Sequence, residues 1–268
     1  MYLALATTGT SCLESIATVN TRLYGQLILQ GRPAHELADI RHAYELTCAL
    51  YSGAFQADGR PFIAHTVAVA SILAIVGLPS NIIATGLIHN VYGNGDFGDG
   101  RFNCATPQRR ERVRRAVGCE IESSVHRFSE LRLSRRFPEI RANIGTMIEG
   151  DRLLLTIELA DILEKYADLG VLFFGDSRWI TRFVDAHEQD LLELAHLLNQ
   201  PVLAEALSLA ISRVRSSQVP TELASSPEHA YLYRLIPGSW MERPRITWTR
   251  ALKQTTFWQF ARRIVRGS

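Results

Sequence analysis

The stretch Gly59–Phe97, GRPFIAHTVAVASILAIVGLPSNIIATGLIHNVYGNGDF, decides the fold of this chain. It contains two apolar runs, Phe62–Val76 and Ile82–Val91, which are separated by the letters GLPS. Glycine commonly ends a helix, proline cannot continue one, and Ser80 is a suitable N-cap for the next helix. The stretch therefore predicts a tight hairpin of two helices.

Two histidines stand at matching ends of this predicted hairpin. His65 lies where the first helix begins, and His89 lies where the second helix ends. Two antiparallel helices of similar length bring these positions to the same end of the hairpin. The spacing therefore predicts that two imidazole nitrogens can bind one ion.

The letters around the histidines resemble the HD superfamily of metal-dependent phosphohydrolases, most closely the HD domain of the RelA/SpoT stringent-response enzymes. The segments GRPFIAH and LIHN correspond to the family's first two ligand motifs, and this correspondence makes His65 and His89 metal ligands. The family's third ligand is the Asp of an Ala-Asp-Arg-Leu segment. Its best match is ELADILEKYADL, which assigns the third ligand to Asp161. The resemblance covers residues 40–170.

The sequence departs from the family pattern near the predicted metal site. Asn90 stands where the family has Asp, and Gly93 and Asn94 replace the acidic pair of the (p)ppGpp hydrolases. Gln56 stands where the family carries a nucleotide-contacting Arg. The string HNVYGN is also similar to uncharacterised HD-like domains that carry His-x-Val-Tyr-Gly in place of His-Asp. Asn90 is then a neutral carbonyl ligand or a neighbour of the ligands.

The predicted fold is all-α, an HD-like helical bundle with a basic, aromatic C-terminal extension. Its 268 residues are 47% hydrophobic, which is enough for one large core. We expect a helical domain over 1–215, a linker over 216–239 and a separate segment over 240–268. The helices are predicted at Cys12–Leu29, Ala34–Tyr51, Gln108–Gly118, Glu120–Leu133, Asp151–Asp168, Trp179–Leu198 and Pro201–Arg215. No segment predicts a strand convincingly.

Composition and motifs exclude several classes of function. Four cysteines without CxxC spacing argue against a zinc ribbon and against a secreted disulfide framework. No apolar run reaches the roughly 20 residues of a membrane span, and the N-terminus lacks a signal-peptide pattern. We expect a cytoplasmic protein that does not bind nucleic acid. No Walker or dinucleotide loop is present.

Four further residues are candidates for ligand binding. Tyr92, Asn94 and Asp96 lie at or in the glycine-rich stretch 93–103, whose backbone can approach a ligand closely. Arg109 opens an arginine-rich helix that could hold phosphates. Both features have ordinary alternatives, because a glycine-rich stretch can be a plain surface loop and an arginine cluster can be a solvated helix face.

Asp161 also has an alternative interpretation. Glu158, Asp161, Lys165 and Asp168 follow at spacings of three, four and three, which is typical of a solvated charged stripe. Only the family resemblance makes Asp161 a ligand. His126 is the one histidine between the two motifs, so a second metal is not expected.

The C-terminal segment 240–268 has its own character. It carries seven Lys or Arg and one Glu, a net charge of 7 − 1 = +6, together with three of the four tryptophans. A basic helix with aromatic residues can lie at an anionic membrane surface. The alternative is that the aromatic residues pack on the bundle while the arginines face water.

Two hypotheses about function follow. In the first, the chain is an HD-superfamily protein that binds one divalent ion (Mn, Fe, Co or Zn) and hydrolyses a nucleotide or a phosphorylated metabolite. In the second, a degenerate HD domain binds a nucleotide, a metabolite or a protein partner without catalysis. The missing acidic residues favour the second hypothesis, and retention of His65, His89 and Asp161 favours the first.

Overall fold

The computed structural model describes residues 8–101, 103–131, 136–226 and 232–235. Over these residues the structure is almost entirely helical, as predicted. The α-helices, in chain order, are α1 (Gly9–Ser15), α2 (Asn20–Leu29), α3 (Ala34–Tyr51), α4 (Phe62–Ile75), α5 (Ser80–Ile88), α6 (Val91–Asn94), α7 (Pro107–Leu131), α8 (Phe137–Asn143), α9 (Glu149–Tyr166), α10 (Arg178–Leu197) and α11 (Pro201–Ser216). Short 3₁₀ segments lie at Ile144–Thr146, Ala167–Phe173 and Thr221–Leu223.

Helix α4 lies at the centre of the bundle. Its residues from His65 to Ala74 are all buried, and it packs against α1, α2, α3, α5 and α9. A helix that is apolar on every side is stable only when neighbours surround it. Its buried Ser71 is satisfied, because the hydroxyl donates to Gln26 (2.7 Å) and accepts from the backbone N–H of Ala17 (2.8 Å). The core therefore forms around the first apolar run.

The predicted hairpin is confirmed, with one correction at its turn. Gly77 adopts a left-handed conformation (φ 77°) after α4 ends, and α5 begins at Ser80. The N-cap residue is Pro79, so the prediction of a Ser80 cap was wrong. The Ser80 hydroxyl instead hydrogen-bonds the Glu36 carboxylate of α3, because this tertiary partner lies within its reach.

The N-terminal helix differs from the prediction. The segment predicted as one helix from Cys12 to Leu29 is broken between α1 and α2. Two hydrogen bonds hold the break, one from the side chain of Gln26 to the carbonyl of Ser15 (2.5 Å) and one from Ala17 to Ser71. Ser71 is distant in sequence, so the helical periodicity could not reveal the interruption.

The remaining predicted helices are present with small changes of boundary. Segments 108–118 and 120–133 join in α7, which bends at Gly118 (φ 84°). Helix α9 ends at Tyr166 because Asp168 and Leu169 adopt left-handed conformations (φ 51° and 61°). Two short strands, β1 (Ala54–Phe55) and β2 (Tyr233–Arg234), pair in a small sheet that the sequence did not predict.

The chain divides into two units, Met1–Tyr233 and Arg234–Ser268. Within the first unit, the backbone N–H of Ser225 donates to Phe173 (2.8 Å) and the ring of Tyr233 stacks on Phe55 (5.5 Å). Both Ser225 and Tyr233 belong to the predicted linker. The basic segment 240–268 lies outside the described residues, so its role stays a prediction. Among the described helices, none has the length and apolar character needed to cross a membrane.

Candidate metal centre

The two motif histidines meet at one end of the α4–α5 hairpin. His65 lies in the first turn of α4, and His89 is the C-cap residue of α5. Their ring centroids are 5.5 Å apart, and both residues are buried within the bundle. The antiparallel packing expected from the sequence therefore brings the two imidazoles together.

Asp161 of α9 completes a group of three possible ligands. Its Oδ1 atom lies 3.2 Å from Nε2 of His65 and 3.4 Å from Nε2 of His89. One ligand atom from each residue lies within 4.8 Å of the other two. Asp161 and Lys165 expose only 15% and 14% of their side chains, so they do not form the solvated stripe that was the alternative.

Hydrogen bonds fix which nitrogen of each imidazole faces the centre. Nδ1 of His65 lies 2.6 Å from Oε2 of Glu164, and Nδ1 of His89 lies 2.8 Å from the carbonyl oxygen of Gly86. Both partners accept hydrogen bonds, so each Nδ1 carries a proton and donates it. In the neutral imidazoles both Nε2 atoms then direct lone pairs toward Asp161. This is the ligand tautomer of a metal-binding histidine.

The electrostatics of the group favour a cation at its centre. The Oδ1 atom of Asp161 is buried and accepts no hydrogen bond from the described residues. Burial alone would raise the pKa of Asp161, but the charge of Lys165 and the two nearby imidazoles hold it well below the ordinary value. An ionised oxygen that faces two nitrogen lone pairs is stabilised further by a cation or a proton between them. The donor set of two imidazoles and one carboxylate fits Mn, Fe, Co or Zn.

The same oxygen also favours the protonated form of His65. Burial alone would lower the pKa of His65, but the charge of Glu164, the hydrogen bond to Glu164 and the nearby Asp161 carboxylate outweigh burial and raise it. A proton on Nε2 of His65 then occupies the space between the imidazole and Asp161. Protons and metal ions therefore compete for one position.

A buried carboxylate behind His65 was missed by the sequence reasoning. Glu164 is 1% exposed, and its second oxygen lies 2.9 Å from the guanidinium of Arg60, which also pairs with Asp58. Burial would raise the pKa of Glu164, but the charges of His65 and Arg60 lower it. A carboxylate three residues after a ligand on a largely apolar helix was the available signal. Such groups orient metal-bound histidines.

Two further side chains, Lys165 and Asn90, contact the possible ligands directly. The Lys165 ammonium forms an ion pair with Oδ2 of Asp161, which leaves Oδ1 directed at the histidines. The amide nitrogen of Asn90 lies 2.7 Å from Nε2 of His89. With this orientation Asn90 donates to the lone pair that a metal would use, whereas the rotated amide would present its oxygen to the centre.

The centre opens into a large cavity of about 1130 Å³. His65, His89 and Asp161 line it, and so do the predicted residues Asn90, Tyr92 and Asn94. Such cavities are the usual location of small-molecule sites. The structure therefore places most of the predicted site residues around one space.

Asp96 and Arg109 lie outside the cavity lining. Arg109 is 3% exposed and donates to Asp99 (2.9 Å from Nε) and to the carbonyl of Cys104 (3.1 Å). Its guanidinium also lies over the ring of Phe97 (4.6 Å). These contacts make Arg109 an organiser of the glycine-rich segment 93–103.

The other arginines of α7 are also engaged. Arg110 donates to the buried carboxylate of Glu122 (2.7 and 3.0 Å), which accepts a further hydrogen bond from the hydroxyl of Tyr92 (2.7 Å). Arg114 and Arg115 pair with Glu111. His126 contacts Tyr92 edge-on (6.2 Å) and belongs to no group of possible ligands within the described residues.

Comparison with known proteins gives partial similarity. Residues 47–149 match the family described as "Domain of unknown function (DUF6817)". A 161-residue segment, 59% of this chain, is 28% identical to the bifunctional (p)ppGpp synthase/hydrolase SpoT of Escherichia coli K12. A 121-residue segment, 44% of the chain, is 29% identical to the guanosine-3′,5′-bis(diphosphate) 3′-pyrophosphohydrolase of Haemophilus influenzae.

These similarities cover a small part of each relative. The matched segments span 22% of the Escherichia coli protein and 16% of the Haemophilus protein. They agree with the predicted resemblance to RelA/SpoT-like enzymes at the level of distant sequence similarity. The activities named for these relatives are therefore properties of those proteins, not of this chain.

Proposed function

We propose that this protein binds one divalent metal ion at His65, His89 and Asp161 and hydrolyses a phosphate ester. The observation that carries the proposal is the buried Oδ1 of Asp161, which accepts no hydrogen bond in the described structure and faces two imidazole nitrogens. The similarity to a 3′-pyrophosphohydrolase supports the choice of phosphate chemistry. A nucleotide or a phosphorylated metabolite is the substrate class.

A divalent ion supplies Lewis acidity, which polarises a phosphoryl oxygen and makes water a stronger acid at neutral pH. The protein's own residues do the rest. Glu164 and the carbonyl of Gly86 hold the two imidazoles in the ligand tautomer. Lys165 holds Asp161 in one orientation and adds positive charge at the edge of the cavity, where a phosphate oxygen could bind.

The proposal is tested by assaying purified protein on phosphomonoesters, phosphodiesters and guanosine 3′,5′-bis(diphosphate) with Mn²⁺ present. We expect hydrolysis of at least one class, and loss of at least about 100-fold in kcat/KM in Asp161→Asn, since one ligand charge is removed. Glu149→Gln, on the exposed first turn of the same helix, is the matched control and should retain activity. Silence on all three classes would reject the enzyme proposal.

A second candidate function is ligand binding without catalysis. Specific contacts favour it: Lys165 already neutralises Asp161, and Asn90 can donate to His89 in place of a metal. Gly93 and Asn94 line the cavity where the related hydrolases carry an acidic pair. Under this proposal Asn90→Asp should raise the affinity for Mn²⁺, because it adds an anionic oxygen beside His89. Equal affinity in both proteins would argue against a degenerate centre.

A further inference from the structure

The cavity that contains the candidate metal centre has a wall of aromatic side chains. Trp179 and Phe183 lie one turn apart on α10 and so project from the same face of that helix. Phe174, which precedes α10, lines the same cavity. The mechanism proposed above uses none of these three rings.

The wall is rigidly supported from behind. Phe174 is buried and stacks on Trp179, with centroids 6.2 Å apart and ring planes inclined by 25°. Phe183 packs on Phe137, which is fully buried, at a centroid distance of 5.6 Å. Trp179 itself keeps 40% of its surface exposed. A supported ring with exposed surface in a cavity is suited to stacking on a planar ligand.

The charge of the cavity limits what else the ligand can carry. Among the described lining residues Lys165 is the only Lys or Arg, and it is paired with Asp161. The nearby Arg109 and Arg110 are engaged by Asp99 and Glu122 and lie outside the lining. Each phosphate group adds about −1.5 to −2 of charge, so the described part of the lining suits one phosphate.

We infer that the cavity takes a phosphate ester with a single phosphate group and a planar aromatic body, which stacks on Trp179 and Phe183. This inference rests on the proposed function, because it names the substrate class of the same site. It sets this chain apart from its relatives named for guanosine bis(diphosphate), whose ligand carries four phosphates. The aromatic wall supplies recognition of the body, and the centre takes the single phosphate.

The contribution of the ring is tested with two phosphonates that share one head group. Isothermal titration of the full chain, with and without Mn²⁺, should show phenylphosphonate binding at least about tenfold more tightly than methylphosphonate. The preference should fall below about threefold in Trp179→Ala and in Phe183→Ala and persist in Trp179→Phe. Ile148→Ala, an exposed apolar residue outside the cavity lining, is the control. Equal affinity for both phosphonates in the wild-type protein would overturn the inference.

The single phosphate is tested with two nucleotides that share one base. Adenosine 5′-monophosphate should bind at least about fivefold more tightly than adenosine 3′,5′-bisphosphate, because the described lining offers few cations for a second phosphate. Tighter binding of the bisphosphate would overturn this part of the inference. Circular dichroism confirms that each variant is folded before its affinity is compared.

Failure of the inference and failure of the proposed function give different results. A clear preference for phenylphosphonate without turnover of any phosphate ester would retain the inference and reject the hydrolase. Turnover of phosphate esters without any preference for the ring would reject the inference and retain the hydrolase. The titrations with and without Mn²⁺ separate the two, because stacking on the wall does not require the metal.

Discussion

In the Glu164→Gln variant, an amide replaces the buried carboxylate that accepts the hydrogen bond from Nδ1 of His65. The new side chain has the same size and still offers a carbonyl oxygen as acceptor, so the imidazole keeps its orientation. What it loses is the negative charge that makes His65 a stronger base. Glu164→Leu removes the acceptor as well, and Nδ1 is then buried without a partner.

The size of the effect follows from these contacts. Loss of a carboxylate behind a ligand histidine lowers metal affinity by about 10–100-fold, which is about 1.4–2.8 kcal/mol. We expect the lower value for Glu164→Gln and the upper value for Glu164→Leu. Arg60 keeps its ion pair with Asp58 and is 26% exposed, so the loss in free energy of unfolding should be about 1–2 kcal/mol. This value is for the pair with Arg60, and it is smaller than the loss for a fully buried pair such as that of Glu164 with His65.

The assay is competition for Mn²⁺ or Zn²⁺ between the protein and a fluorescent chelator, with thermal unfolding followed in parallel. Glu149→Gln, whose side chain is 79% exposed on the same helix, should leave both quantities unchanged. An unchanged metal affinity in Glu164→Leu would refute the reasoning, because it would mean that Glu164 does not support a ligand.

Three further predictions concern the surrounding structure. Gly86→Ala would place a Cβ 2.5 Å from a buried leucine side chain, so overpacking should lower the free energy of unfolding by about 1–3 kcal/mol, measured by urea denaturation. Burial alone would raise the pKa of Glu122, but the hydrogen bond from Arg110 outweighs burial and lowers the pKa below its ordinary value of 4.5. The Glu122 carboxylate therefore stabilises the fold above pH 4.5, and this contribution is lost as the pH falls. Denaturation curves from pH 7 to 3 should show that the difference in stability between wild type and Glu122→Gln vanishes at the acidic end. Arg109→Lys loses the planar fork that binds its carboxylate partner, so segment 93–103 should exchange amide hydrogens faster, at a cost of about 1–3 kcal/mol.

The hairpin could be predicted because its signals are local. Two apolar runs and the turn letters GLPS determine where α4 and α5 end, and helix geometry then places His65 and His89 together. Asp161 could be found only by resemblance to a family. Its spacing to neighbouring charges is the same for a buried ligand and for a solvated stripe.

The supporting residues could not be predicted, because burial of a charged residue depends on tertiary packing. Glu164 and Lys165 follow Asp161 at spacings that also occur on exposed helix faces, and only the contact of α9 with α4 buries them. The break before α2 has the same origin, since it depends on Ser71 in a distant helix.

The most direct test of the central claim is the metal content of the full chain, measured by elemental analysis after preparation without chelator. The account predicts about one Mn, Fe, Co or Zn per chain, since the described residues form one group of possible ligands. His65→Ala and His89→Ala should each lose at least nine tenths of it while remaining folded. Wild-type protein that stays metal-free in the presence of these ions, or variants that retain the same content as the wild type, would contradict the account.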